Sequence, residues 1–422
     1  MKFCFTLFLF SGFLNAHAQP IPARTDSLRL TRRQADSLFL SNNLLLLAER
    51  FRVEAAEARI SQAKLFDNPS VGVELSTYNS QTNRVFDVGG QGQKIVTVSQ
   101  LLYTAGKRNK RIALASEAAR LTQFELLDLL RGLRFELRSR FYAIYFQQRT
   151  LARFDQQLGI LQTTVDAYEK EYARNNVSLR ELVRLKALLF QIGNDRTEIL
   201  LQLADDQRSI RTLLGVEQPI QPLVFEETLG RYQLPNIPDD SLRSLALRNR
   251  PDLLATESLT QQAKLNLDLQ RALARPDLRL GGTYDQAGSY VPSYLGISVM
   301  ADIPLANRNQ GGIAAARAQI SYQQRIQQQK VVQISNDVAT SLQKVREVDS
   351  RLRSIESGFT GQFDLLNQGV IASFRKGNIT LLEFVDLIES YNQSIRELNR
   401  LKADRVGAYE ELNYLTGENL FQ

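Results

Sequence analysis

The chain carries the same pattern twice, and this duplication limits its architecture more than any other feature of the sequence. The segment that begins at Asn42 aligns without gaps with the segment that begins at Asn249, and the segment from Leu102 aligns with that from Ile303. The offset between the aligned positions stays between 201 and 207 residues throughout. Each half is therefore expected to fold as the same structural unit. We assign residues 19–218 to a first structural repeat and residues 219–422 to a second.

The amino terminus, "MKFCFTLFLFSGFLNAHA", combines one positive charge, an apolar core and small residues in A-x-A order. This pattern predicts a secretory signal peptide over residues 1–18. Cys4 and His17, the only cysteine and histidine of the chain, would leave with it. The mature chain could then build no thiolate or imidazole metal site, no Cys nucleophile and no His-based triad. We therefore expect an exported protein with no enzymatic activity, no cofactor and no metal site.

The formal net charge of +7 raises the question of a nucleic-acid partner. The Lys and Arg residues are, however, spread among Glu and Asp along helical patterns, without a basic block interleaved with aromatic residues. We expect no nucleic-acid partner, and export supports that expectation.

Two long proline-free stretches, residues 70–218 and 305–422, are typical of long uninterrupted helices. In the first of them, apolar residues recur at alternating steps of three and four from Leu151 to Tyr172, which is the seam of a coiled coil. A helix from about residue 106 to about residue 174 would be about 100 Å long at about 1.5 Å per residue. Such an element is either a rod or the wall of a tube.

The stretches "ARNNVSLRELVRLKALL" (173–189) and "RKGNITLLEFVDLIESY" (375–391) are polar turns that open helices at equivalent points of the two repeats. We predict that each is the tip of a helical hairpin. The predicted tip residues are Asn175, Asn176, Val177 and Ser178 in the first repeat, and Gly377, Asn378, Ile379 and Thr380 in the second. Ser178 and Thr380 also fit as plain helix N-caps.

Four segments between the helices have the two-residue period of β-strands. They cover about residues 70–78, 94–103, 277–285 and 293–303. Each is close to the 9 to 11 residues that a tilted membrane strand needs. A small soluble sheet capping a helical rod is the alternative on periodicity alone. Because four strands cannot close a barrel and open edges are not tolerated in lipid, a membrane barrel would have to be shared, and three copies would give twelve strands.

The whole mature chain resembles the outer-membrane efflux proteins of the TolC type. The resemblance is carried by "DNPSVGVELSTY", "VTVSQLLYTAGKRNKRIALA", "RNRPDLLA", "LARPDLRLGGTYD", "DIPLANRNQGGIAAARAQ" and "YLTGEN". "NPSVGVEL" and "SQLLYTAGKR" are more similar to the heavy-metal cation-efflux branch than to the drug branch. The chain departs from that branch at Leu101, where members often have proline.

The resemblance implies a fold that is mainly α with membrane β: a duplicated helix–strand–strand–helix unit, with a trimeric α-helical tunnel and a shared twelve-stranded β-barrel. It implies a homotrimer in the bacterial outer membrane, with the helical part in the periplasm. A periplasmic adapter (membrane fusion) protein and a proton-driven inner-membrane efflux pump would complete the assembly. The chain would then be a passive exit duct.

The matching positions in the family carry the acidic ring of the periplasmic aperture. By this resemblance, Glu383 and Asp386 belong to the ring, and Glu181 is the equivalent residue in the first repeat. Solvated carboxylates in a helix first turn are the alternative reading. Arg180 and Arg184 stand where the second repeat has Leu382 and Asp386, and could act as gate counter-charges in the closed state.

The segment "GKRNKR" (106–111) places Lys107, Arg108, Lys110 and Arg111 at a strand-to-helix junction, where the helix dipole disfavours positive charge. Contact with lipid phosphates of the outer membrane is one interpretation, and a solvated turn is the other.

Two other classes of protein are alternatives to the efflux duct. A periplasmic adapter would have a single helical hairpin inserted in β-domains, and a secreted coiled-coil scaffold would have no membrane part. Within the duct reading, heavy-metal cations, organic compounds and drugs, or secreted proteins remain open as the cargo, because fold alone does not determine it.

Overall fold

The two halves of the chain have the same order of elements. The computed structural model describes residues 27–90, 92–234, 238–288, 291–356 and 359–421, so the predicted signal peptide lies outside the described part. The first half contains β1 (Leu28–Thr31), α1 (Arg32–Asn42), α2 (Leu44–Ala63), β2 (Ser70–Leu75), β3 (Tyr78–Asn79), β4 (Arg84–Val85), β5 (Lys94–Leu102), α3 (Lys107–Ala173) and α4 (Leu179–Leu214).

The second half repeats this order without a counterpart of β3 and β4, and with one additional short helix after its first strand. It contains β6 (Ile220–Leu223), α5 (Glu226–Gly230), α6 (Asp239–Asn249), α7 (Pro251–Leu273), β7 (Leu278–Asp285), β8 (Tyr294–Ala301), α8 (Gln310–Glu356), α9 (Phe359–Arg375) and α10 (Leu381–Thr416). By position, α6 corresponds to α1, α7 to α2, α8 and α9 to α3, and α10 to α4. The duplication predicted from the sequence is therefore confirmed.

The long helix of the first half, α3, has 67 residues, which corresponds to about 100 Å at about 1.5 Å per residue. The chain turns after α3 and runs back along it as α4. The predicted coiled-coil seam forms the contact between the two helices, with Phe154, Leu161 and Leu185 fully buried along it. In the second half, α8 and α9 take the place of α3, and residues 357 and 358 between them lie outside the described part.

The helices α4 and α10 end on equivalent glycines. Gly215 and Gly417 have φ angles of 63° and 74°, in the left-handed region that favours glycine. A Cβ atom would also approach a backbone oxygen to 3.0 Å at Gly215 (Asn42) and to 3.1 Å at Gly417 (Asn249). Each glycine thus lets a long helix end against the junction between the two short helices of its own repeat.

The strands β2, β5, β7 and β8 form one antiparallel sheet in that order. Its register places Val73, Val96, Tyr284 and Leu295 side by side on one face, all of them exposed. The opposite face is mainly polar. It carries Glu74, Thr97, Ser99, Arg279, Thr283, Asp285 and Ser298, together with Ile95, Leu101, Tyr294 and Met300. The sheet therefore exposes one apolar face and one mainly polar face, which a soluble sheet packed on a helical rod would not do.

Both outer strands of this sheet have an open edge, since within the described residues β2 pairs only with β5 and β8 only with β7. No helix in the described ranges has a stretch that is both long and apolar enough to span a membrane.

The middle of the molecule holds a core that joins the two repeats. Arg138 of α3 lies 2.9 Å from Asp36 of α1 and 3.2 Å from Glu410 of α10, measured between guanidinium nitrogen and carboxylate oxygen. The Tyr232 hydroxyl donates to the other Glu410 oxygen at 2.7 Å. Burial acts to lower the pKa of Arg138, but the two carboxylates outweigh it and raise that pKa above its usual range. The ion pairs thus tie the start of the first repeat to the end of the second.

Candidate functional site

The two predicted hairpin tips are the same turn, made twice. In the first tip Asn175 has a φ of 62°, and the Asn176 amide donates to the Glu171 carbonyl at 2.9 Å. In the second, Gly377 has a φ of 74°, and the Asn378 amide donates to the Ser373 carbonyl at 2.9 Å. This 6→1 hydrogen bond over a left-handed residue is the Schellman motif that ends a helix. The tip residues are exposed, except for Val177 and Ile379, which are half-buried.

Each tip is followed by a capping box at the first turn of the returning helix. The Glu181 carboxylate accepts hydrogen bonds from the Ser178 amide and hydroxyl, both at 2.8 Å. The Glu383 carboxylate accepts from the Thr380 amide at 2.7 Å and from its hydroxyl at 2.8 Å. In both cases the backbone hydrogen bond, followed by the hydroxyl bond, holds the pKa of the glutamate below its usual value. Both glutamates therefore stay ionised at neutral pH.

The structure places the predicted acidic residues as follows. Glu383 and Asp386 are both exposed and lie three residues apart on α10, whereas Glu181 on α4 is half-buried. Within one chain, Glu181 and Glu383 act as helix caps, as do Ser178 and Thr380. Capping uses one oxygen of each carboxylate, so their charge remains available to an aperture. Their role in a gate stays a prediction.

Arg180 and Arg184 are exposed on α4. In the described part of the chain, neither forms an ion pair with Glu181, Glu383 or Asp386. Their role as gate counter-charges stays a prediction.

An aromatic stack joins the two tips and was missed by the sequence reasoning. Phe374 of α9 stacks on Phe384 of α10 with ring centroids 4.1 Å apart, and on Tyr168 of α3 at 6.1 Å. Further along the hairpins, Gln191 donates to Glu389 at 2.8 Å and Arg396 pairs with Asp195 at 3.3 Å. These contacts connect the two hairpins of one chain. The repeat pattern did not reveal the stack, because the counterpart of Phe374 in the first repeat is Tyr172, whereas the stack uses Tyr168.

The basic junction corrects one prediction. Lys107 is only 2% exposed, and its ammonium lies 2.7 Å from an Asp277 carboxylate oxygen and 2.7 Å from the Arg275 carbonyl. The assignment of Lys107 to lipid headgroups is therefore wrong. The neighbouring Asp277, distant in sequence, neutralises the charge that the helix dipole disfavours.

The other three cations of the junction are half-buried against the same turn. Arg108 lies over the Phe66 ring at 4.2 Å, Arg111 over the Tyr103 ring at 4.3 Å, and the Lys110 ammonium donates to a backbone carbonyl at 3.1 Å. Their contact with lipid phosphates stays a prediction.

Among the residues that the structure describes, no group of three or more Asp, Glu, His or Cys side chains is arranged to hold a metal ion. The tips are a structural and electrostatic site, built from caps, a stack and exposed carboxylates.

The chain is similar in sequence to known transport proteins. It is 23% identical over 312 residues to the cation efflux system protein CusC of Escherichia coli (strain K12). That match covers 68% of this chain and 66% of the relative, so the aligned region spans just under two thirds of the relative's length.

Two solved structures have the same fold. A crystal structure of CusC matches with a TM-score of 0.74 at 17% identity, covering 96% of both chains. The CmeC outer membrane channel of Campylobacter jejuni matches with a TM-score of 0.76 at 12% identity, covering 92% of this chain and 85% of that one. At these identities the likeness shows the fold alone, and it confirms the predicted helical tunnel fold with duplicated repeats.

The family model described as "Outer membrane efflux protein" matches residues 37–216 and 242–418, one segment in each repeat. This match covers most of the chain and confirms the resemblance inferred from its motifs and the outer-membrane location. The chain therefore belongs to the outer membrane efflux protein family.

Proposed function

We propose that three copies of this chain form the outer-membrane exit duct of a tripartite efflux system. A periplasmic adapter and a proton-driven inner-membrane pump would deliver the cargo to the tips. The observation that supports this most is the position of the sheet. It exposes an apolar and a polar face at one end of α3, a helix about 100 Å long, while the hairpin tips lie at the other end.

The apolar face of the sheet fits lipid, and the polar face fits a water-filled lumen. A strand edge left open in lipid would cost several kcal/mol for each unsatisfied backbone group. Three sheets joined edge to edge would remove all open edges and give twelve strands, enough to leave a channel inside. The adapter would meet the exposed tip residues.

We propose heavy-metal cations as the cargo. The relative matched in sequence is named a cation efflux system protein. In addition, the polar face of the sheet carries the carboxylates of Glu74 and Asp285 near one end of the strands, where they would favour cations over anions in the lumen. Efflux of organic compounds or secretion of proteins would use the same duct with a different pump.

The test of the cargo is deletion of the gene in its host. Growth inhibition by Cu, Zn, Co, Ni and Cd salts is compared with inhibition by dyes, detergents and lipophilic antibiotics, with the gene restored on a plasmid as the control. We expect sensitisation to metal salts alone. Sensitisation to the organic panel alone would contradict the cation proposal while leaving the duct in place.

The proposed acidic aperture predicts a change in ion selectivity. Replacing Glu383 by Gln together with Asp386 by Asn removes six carboxylates from three copies at the constriction. The variant channel in a planar bilayer is expected to show lower cation selectivity and weaker block by divalent cations, because those charges attract cations.

Asp205→Asn is the matched control, since this exposed carboxylate of α4 lies far from the tip. Its selectivity should equal that of the unmodified channel. If the double variant also has the selectivity of the unmodified channel, Glu383 and Asp386 do not line the aperture. They would then be a helix-capping residue and a solvated residue.

A further inference from the structure

The two junctions between a strand and a long helix differ in charge, although they share one fold. Arg108, Lys110 and Arg111 lie in the first turns of α3, and the repeat offset of 201 residues takes them to uncharged residues around the start of α8. These are Asn309, Gly311 and Gly312. Since the second junction forms without these cations, the shared fold does not require them in the first. Their presence therefore has a separate physical reason.

The three cations lack a carboxylate partner inside the described part of the chain. Lys107, which precedes them, is compensated by an Asp277 carboxylate oxygen at 2.7 Å, but no such ion pair forms at the other three. The Asp67 carboxylate of the same junction accepts a hydrogen bond from the Tyr103 hydroxyl at 2.7 Å instead. Positive charge at the start of a helix is unfavourable, so an anion from outside the chain would stabilise the junction.

Two arginines of the junction are held in place by aromatic rings. The Arg108 guanidinium lies over the Phe66 ring at 4.2 Å, and its Nε donates to the Lys64 carbonyl at 3.0 Å. The Arg111 guanidinium lies over the Tyr103 ring at 4.3 Å. Stacking covers the face of a guanidinium and leaves N–H groups at its edge for an anion. Because Arg108 and Arg111 are three residues apart, they lie on one face of α3, where both can bind one oxyanion.

The pair of arginines lies beside the apolar face of the sheet. Gln100 belongs to that face, because it is four residues from Val96 and opposite Leu280. Its side-chain amide donates to the Asp67 carbonyl at 2.8 Å, so the turn that contains Phe66 lies at the helical end of the apolar face. The Phe66 ring is 67% exposed. An apolar surface, an exposed ring and two cations thus follow one another, which matches the order of acyl chains and headgroups in a lipid leaflet.

A neighbouring copy of the chain would leave the Phe66 ring accessible. The repeat offset of 207 residues takes Phe66 to Leu273, at the end of α7. Within the chain α7 packs between α3 and α8, so Leu273 has helices on both sides, and it is still 40% exposed. We therefore expect Phe66, just after α2, to stay exposed when a further helix packs beside α2.

We propose that Arg108 and Arg111 bind the phosphate of an anionic phospholipid in the inner leaflet of the outer membrane, while the Phe66 ring enters the adjoining acyl layer. The helical part lies in the periplasm, so the junction meets the periplasmic leaflet. The Lys110 ammonium, which donates to the Ala105 carbonyl at 3.1 Å, adds positive charge beside this site. The inference rests on the proposed duct in the outer membrane, and it adds a lipid site that belongs to the first repeat.

The lack of tryptophan in the chain allows a direct test of the apolar contact. Phe66→Trp places a single tryptophan in each copy of the assembled channel. In reconstituted vesicles its fluorescence is expected to fall at least twofold when the lipids carry bromine near the top of the acyl chain. Phe225→Trp is the matched control, because that ring is 64% exposed and precedes α5, away from the sheet. Quenching of neither variant, or of both alike, would overturn the contact.

Native mass spectrometry of the full-length channel in detergent tests the phosphate site. With phosphatidylglycerol added, the unmodified trimer is expected to retain up to one lipid per copy, and the double variant Arg108→Gln with Arg111→Gln several-fold less. Arg208→Gln with Arg400→Gln removes the same charge from exposed helix positions and should retain as much lipid as the unmodified channel. Arg108→Lys with Arg111→Lys keeps the charge but loses the planar fork, so its retention should be intermediate.

Inorganic phosphate separates a lipid site from a general oxyanion site. At the concentration of the added lipid it should not displace the lipid, because it has no acyl chains to bury beside Phe66. Displacement would assign the arginines to free phosphate and overturn the proposal. A double Gln variant that is folded by circular dichroism, trimeric and still loaded with lipid would also overturn the proposal while leaving the duct intact. A protein that is only monomeric would instead overturn the duct itself.

Discussion

Replacing Arg138 by Met is expected to lower the stability of each chain by about 3–5 kcal/mol. The guanidinium compensates two carboxylates, Asp36 and Glu410, and Glu410 is only 1% exposed. Met has a similar length and keeps much of the packing, so the loss comes mainly from removing the cation that is ion-paired with a buried carboxylate; Arg134 interacts with Glu410 only through its charge, without a hydrogen bond. The Tyr232 hydroxyl and the Asn413 amide would remain as donors to Glu410, but a neutral hydrogen bond does not neutralise a charge.

The measurement is thermal loss of helical circular dichroism in detergent, compared with Arg208→Met. Arg208 forms an ion pair with Asp205 in which the Arg side chain is 71% exposed, so that substitution should cost at most about 1 kcal/mol. If the Arg138 variant unfolds at the same temperature as the Arg208 variant, the buried network does not hold the repeats together.

Replacing Phe384 by Ala is expected to cost about 3–5 kcal/mol and to loosen the tips. Phe384 is 1% exposed and stacks on Phe374, which in turn stacks on Tyr168 of the other hairpin. Removing the ring leaves a cavity in the contact that joins the two hairpins of one chain. Because the proposed aperture is formed by these tips, the closed channel should leak and its conductance in a planar bilayer should rise.

Phe225→Ala is the control, since this exposed ring precedes α5 and lies away from the tips. Phe384→Leu should give an intermediate effect, because it keeps most of the volume and loses the stacking. If Phe384→Ala melts earlier but conducts like the unmodified channel, the stack serves stability and has no part in closing the aperture.

The features that could be predicted from the sequence are those that local pattern or repetition encodes. The polar turns before Leu179 and Leu381 interrupt a coiled-coil period, and the structure has a hairpin tip at each. Apolar alternation around Val73 and Ile297 marked strands, because the side-chain period of a strand is two whatever the strand pairs with. Four strands cannot close a barrel by themselves, and the family resemblance then implied the trimer that would close it.

The features that could not be predicted depend on contacts between residues distant in sequence. The burial of Lys107 depends on Asp277, and the same charge pattern would also suit a solvated turn. The stack of Tyr168, Phe374 and Phe384 brings together residues from both repeats, while each aromatic residue alone fits an ordinary apolar seam.

The sequence by itself determined that the chain contains an internal duplication, that each repeat has a helical hairpin and two strands, and that the chain is exported. Repetition, periodicity and turn chemistry are local properties, so they can be read without coordinates. Only the tertiary structure decided which side chains meet: Arg138 with Glu410, 272 residues apart, and Arg131 of α3 with Asp252 of α7. The physical reason is that pairing energy depends on distance and burial, and both are set by the packing of helices whose contacts no local pattern specifies.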